Sequence, residues 1–151
     1  MGVEVGVVGI KHQTEYQGTV FDQSVVVRLP DGSKMGLFDK DVLVSDGLVG
    51  SECIIAISTL STVSGVEEYS NQKGIEPTPV DPEGWSDHTY CGEVVGLLES
   101  TDSSYKVQFD VGCGDIIAYL DRDQFDDSPI GCLLRIKAMR SDISGVLGSL
   151  D

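Results

Sequence analysis

Apolar and polar residues alternate with period two over most of the chain. Val25-Val26-Val27-Arg28-Leu29 and Tyr105-Lys106-Val107-Gln108-Phe109 are rich in β-branched and aromatic residues, and each runs into a glycine-containing turn. After Gly50, the stretch from Ser51 to Ser58 puts Cys53, Ile55 and Ile57 on one face. After Gly131, the stretch from Cys132 to Met139 does the same with Cys132, Leu134, Ile136 and Ala138. Such alternation predicts half-buried strands. Helix-like signals are confined to the residues after Asp39 and after Asp121, where an aspartate can cap free backbone N–H groups with Leu43 or Phe125 turned inward.

The pattern occurs twice. "FDKDVLVSDGLVG", ending at Gly50, returns as "LDRDQFDDSPIG", ending at Gly131. "YQGTV" at 16–20 returns as "YCGEV" at 90–94, "VRLPDG" at 27–32 as "VQFDVG" at 107–112, and "STVSGV" at 61–66 as "SDISGV" at 141–146. The order is kept while the spacing drifts, as expected for an internal duplication whose loops change length. The predicted fold class is all-β: two homologous small antiparallel barrels, OB-like or SH3-like, each with at most one short helix. A single barrel built from both copies is the alternative.

On this reading residues 1–66 form the first repeat and residues 88–151 the second. Between them, residues 67–87 hold Pro77, Pro79 and Pro82 together with the only tryptophan, Trp85. Three prolines exclude regular helix and central strand, so this stretch is expected to be an extended linker or an ordered loop, with Trp85 packed back as an anchor.

The order of these signals, with a late glycine introducing the last long strand at Gly50 and Gly131, resembles the five-stranded OB-type barrels. It resembles especially the RNA-binding kind repeated in tandem in the largest small-subunit ribosomal protein. That resemblance covers residues 16–60 and 90–140 and implies tandem barrels. It also implies single-stranded nucleic-acid binding through aromatics and cations on the middle strands, for which this chain offers Arg28, Lys34, Tyr105, Lys106 and Phe109.

Charge changes that picture. Lys and Arg number 10 against 25 Asp and Glu, a formal net charge of −15, and the acidic excess is spread along the whole chain. Such a field repels phosphate backbones, so nucleic acid is an unlikely partner for this composition. The same excess is what a high-salt solvent or a solvated acidic surface would produce. No run is long and apolar enough to span a membrane as a helix, and no secretory pattern opens the chain, so a cytoplasmic protein is the expectation.

Chemistry-bearing residues are few. Asp39 and Asp41, with Asp121 and Asp123, form two carboxylate pairs at matching places, and a divalent cation would need both pairs to meet. His88 and Cys91, in "HTYC", have a ligand-like spacing to which Cys113 could add a thiolate, giving three of the four ligands of a zinc site. Cys113 as a nucleophile with His88 as its base lacks a third group. "VGCGD" and "LPDG" lack the Lys-Ser/Thr ending of a phosphate-binding loop and read as turns. No cofactor is implied. The composite expectation is a non-enzymatic acidic interaction module whose partner is another protein or a second copy of itself. Single-stranded nucleic acid and a divalent metal are the alternatives.

Overall fold

The computed structural model describes residues 2–62, 65–68, 72–79 and 86–149. Eleven strands run in chain order: β1 (Val3–Tyr16), β2 (Thr19–Arg28), β3 (Lys34–Asp39), β4 (Glu52–Thr62), β5 (Gly65–Glu68), β6 (Gly74–Glu76), β7 (Thr89–Ser100), β8 (Ser104–Asp110), β9 (Asp115–Asp121), β10 (Leu133–Lys137) and β11 (Ser141–Ser149). Two single-turn 3-10 helices, Asp46–Leu48 and Arg122–Gln124, precede β4 and β10. The all-β expectation holds. None of the described helices is long and apolar enough to cross a membrane.

The strands form one mixed sheet, whose pairings close a first circuit and lay out a second in the same order between the end of β4 and β5. In the first circuit, β1, β2 and β3 form an antiparallel meander, and β4 returns antiparallel to β1, pairing Val3 with Ile55. The remaining gap between β3 and β4 is filled by β11, parallel to β3 at Phe38 and antiparallel to β4 from Ser141 to Ser149. The second circuit repeats this order. β7, β8 and β9 form the meander, and β10 returns to β7. The end of β4 lies parallel to β9, and β5 lies antiparallel to β10.

Each half therefore supplies the closing strand of the other. The exchanged pieces contain the repeated "STVSGV" and "SDISGV", of which Val63 and Ser64 lie outside the described residues. Residues 1–66 and 88–151 are thus not each a closed barrel by themselves. The barrels were expected to be antiparallel; parallel pairings at β3–β11 and β4–β9 make the sheet a mixed one.

The late glycines play matching parts. Val7 N donates to Ser51 O and Gly50 N to Val7 O, while Val94 N donates to Cys132 O and Gly131 N to Val94 O. Gly50 and Gly131 have φ of 90° and 88°, a left-handed conformation that a side chain would strain. These bonds put Val7 opposite Val94 in the comparison of halves, and the equivalent of "YCGEV" is then the start of β1. "YQGTV" instead forms the turn from β1 to β2, so that similarity in sequence does not correspond in place.

Alternation supplies the core. Val25, Val27 and Leu29, then Cys53, Ile55 and Ile57, then Leu134, Ile136 and Ala138 are all buried, in one continuous apolar cluster with Val107, Ile116 and Ile143. Each fully buried aliphatic side chain of this kind contributes about 1.5–3 kcal/mol. Tyr105 and Phe109 belong to the same cluster, being the inward members of β8. Between the halves, Pro77 and Pro79 lie outside regular structure, whereas Gly74–Glu76 forms β6 along the edge of β7. Pro82 and Trp85 fall outside the described residues.

Candidate functional site

The aspartates singled out from the sequence take structural parts. Asp39 is fully buried and accepts hydrogen bonds from Gln23 Nε2, Leu43 N and Val44 N, each at 2.9 Å. It fastens the chain leaving β3, and Val44, not Leu43, enters the core behind it. Asp121 accepts from Asp123 N at 3.0 Å and caps the second 3-10 turn, with Phe125 packed partly against the core. Asp41 and Asp123 are exposed. No group of three or more His, Cys, Asp or Glu side chains among the described residues is arranged to hold a metal ion.

His88 is buried with both ring nitrogens engaged. Nε2 lies 2.6 Å from Gly36 O and Nδ1 accepts from Thr78 N at 3.0 Å, which fixes the neutral Nε2–H tautomer. Burial pulls its pKa down, opposed by the Gly36 carbonyl and the Asp87 charge. An imidazole so occupied has no lone pair left for zinc or for a thiol. Cys91 is buried with its thiol toward Glu76 Oε1 at 3.8 Å. Cys113 is exposed, yet desolvation, with the charges of Asp31 and Asp110, pushes its thiol up. A raised thiol is the opposite of an activated nucleophile.

The residues expected to contact nucleic acid separate into two groups. Tyr105 and Phe109 are buried and present no face for stacking, a correction to the expectation from sequence. Parity along β8 carried that signal, since Tyr105, Val107 and Phe109 alternate with Lys106 and Gln108. Lys106 lies over the Tyr119 ring, 6.0 Å from its centroid. Arg28 and Lys34 are exposed and directly opposite each other across β2 and β3. Neither makes an ion pair among the described residues. Two like charges directly opposed across strands are unfavourable.

Beside this pair lies an open groove of about 520 Å³, of a size for a small ligand or short peptide segment. Gly6, Arg28, Leu29 and Gly50 line it, with Glu4 and Glu52 on the same wall of strands. Register explains its shape. Gly6 on β1 pairs with Arg28 on β2 and with Glu52 on β4, so one row across the sheet reads Lys34, Arg28, Gly6, Glu52. Gly6 leaves the middle of that row without a side chain, and the nearest atom to a Cβ placed there is Arg28 Cβ at 4.0 Å. The result is a trough with Arg28 on one side, Lys34 next to it beyond the lining, and Glu52 on the other side.

The corresponding row of the second half has the opposite polarity. With Val7 matched to Val94, Gly6 corresponds to Glu93. The pair of residues closing the next two strands, Arg28 with Lys34, corresponds to Asp110 with Asp115. This row is covered by the chain itself. Lys73, just ahead of β6, places Nζ 2.8 Å from Asp110 Oδ2 and 3.6 Å from Glu93 Oε1. The Lys73 ammonium holds the Asp110 carboxyl below its ordinary value, helped by Gly112 N, which donates to Asp110 Oδ1 at 2.9 Å. The remaining aspartate, Asp115, accepts from Gln108 Nε2 at 2.6 Å.

No protein-family model matches the chain, and comparison with curated proteins finds no match.

Proposed function

We propose that this chain is a non-catalytic binding module of two OB-type barrels, derived from an internal duplication, that recognises a partner protein through the groove of the first circuit. The pairing order supports the fold assignment. Counting each closing strand as fifth, the circuits run 1-2-3-5-4-1, the connectivity of a five-stranded Greek-key barrel, with a 3-10 turn between strands three and four. The repeated element order and the matching glycine bonds at Gly50 and Gly131 support duplication.

One observation carries the binding reading: Arg28 lines an open groove with Lys34 directly opposite it and neither makes an ion pair among the described residues, while the matching row of the second half is already covered from within. Charge supports a protein over a nucleic acid as the partner. A polyanion approaching Arg28 and Lys34 would meet Glu4 and Glu52 on the same groove in a field of −15.

The test is quantitative co-purification from the source cell with the wild-type chain and with the double substitution R28D/K34D. A polypeptide retained by the wild type and lost with the variant is the expected result. Retention of nuclease-sensitive nucleic acid in its place would replace this reading by single-stranded nucleic-acid binding. Identical retention by both chains would overturn it.

A further inference from the structure

The two rows are related as a socket to a filled socket, and the filled one shows what the empty one takes. In the second half, the acceptor groups are carboxylates at Glu93 and Asp110, and the group laid across them is an ammonium carried by an extended stretch of main chain. The first half replaces Glu93 by Gly6, Asp110 by Arg28 and Asp115 by Lys34. Every charged member of the acceptor row has changed sign or vanished. We infer that the first groove binds an extended peptide segment of a partner protein that presents an aspartate or glutamate side chain to Arg28 and Lys34. This rests on the protein-binding reading above and names its ligand chemistry.

Three features fit that ligand. The carboxylate that the second half supplies from its own strand at Glu93 is missing at Gly6, and a ligand carboxylate placed over Gly6 would stand next to Arg28 in the row. A guanidinium can hold a carboxylate through two parallel N–H bonds, with the Lys34 ammonium adding a second charge. Pro30 and Val49 supply apolar surface on the groove for residues flanking the acid. Glu4 and Glu52 bias the ligand toward an isolated acidic residue and against a continuous run of phosphates or carboxylates.

The experiment follows backbone amide shifts of the intact chain at low ionic strength. The probes are an acetylated, amidated short peptide carrying one aspartate between apolar residues, the same peptide with lysine in that position, and an oligothymidylate. The aspartate peptide is expected to shift the amides of Gly6, Gly32 and Gly50 in a saturable way and to leave Gly112 and Gly131 unmoved. Its affinity should fall about tenfold in R28D/K34D, as two partly exposed charge pairs would account for, and the lysine peptide should then bind that variant. G6E is a second, independent variant: the new carboxylate lies beside Arg28 and should block the aspartate peptide while the fold, judged by far-UV circular dichroism, stays intact. Equal shifts from the aspartate and lysine peptides, no shifts at all, or undiminished binding by both variants would overturn the inference. Shifts from oligothymidylate alone would overturn it together with the protein-binding reading. A failed peptide titration alongside a co-purifying polypeptide still lost with R28D/K34D would sink only the acidic-peptide assignment.

Discussion

The Nε2 of His88 donates to the carbonyl oxygen of Gly36 across 2.6 Å, joining residues 52 positions apart in the chain. Gly36 belongs to β3 of the first half, and His88 leads into β7 of the second. The same ring accepts from Thr78 N, and Thr78 Oγ1 donates to Asp87 O, so Thr78, between the halves, is bound to this one imidazole and its neighbour.

Stability should therefore fall on mild acidification. Burial lowers the pKa of His88 from 6.5, so the unfolded chain takes up this proton before the folded one does. The contribution is complete above about pH 6.5 and is lost as pH falls below it, at up to about 1.4 kcal/mol per pH unit until the folded pKa is reached. Denaturant midpoints measured from about pH 7.5 to about pH 5 should decline for the wild type and be nearly flat for His88→Gln. Asp110, whose folded pKa is lowered, adds a separate loss at lower pH, where its carboxylate is protonated away from Lys73. A wild-type midpoint unchanged between neutrality and pH 5 would contradict the assignment of a neutral buried imidazole.

The two aspartate motifs should differ in worth although they look alike in sequence. Asp39→Ala leaves Val44 N buried without an acceptor and removes one of the two acceptors of Gln23, so a loss of about 3 kcal/mol is expected. Asp121→Ala removes one capping bond on a partly exposed turn and should cost about 1 kcal/mol. Urea denaturation of the two variants side by side tests the ranking, and equal losses would refute it.

Strand exchange should make the halves one cooperative body. A chain cut at an engineered protease site within residues 80–85 should stay together on size exclusion and melt in a single transition, because β11 closes the first circuit and the end of β4 with β5 closes the second. Either half alone would lack a closing strand and expose the edge of its sheet. Separation of the cut chain into two folded pieces would show that the exchange does not hold in solution.

Glycine at 92 should be irreplaceable where glycine at 6 is not. A Cβ at Gly92 would stand 2.0 Å from Asp110 O, against backbone that cannot yield, whereas Gly6 has 4.0 Å to its nearest neighbour. Gly92→Ala should lower the melting temperature severely or prevent folding, and Gly6→Ala should move it little. Thermal melts of both decide this.

The period-two alternation by itself determined that the chain is all strand, and which faces of β2, β4 and β10 enter the core, because side chains on a pleated strand point to opposite sides in turn. It also held the fate of Tyr105 and Phe109, which share the parity of Val107. The recurring stretches led to an expectation of two similar halves, and Gly50 and Gly131 both take a left-handed φ ahead of β4 and β10, since such a φ selects glycine wherever it is needed. Which strand closes which circuit was decided only in three dimensions. "STVSGV" and "SDISGV" would pair equally well within their own half or across to the other, and pairing partners far apart in the chain leave no local trace. The same holds for the polarity of the two rows. Arg28 and Lys34 were candidates from the sequence whereas Gly6 and Glu52 were not, and the four become one row only because the register of four strands brings them into line.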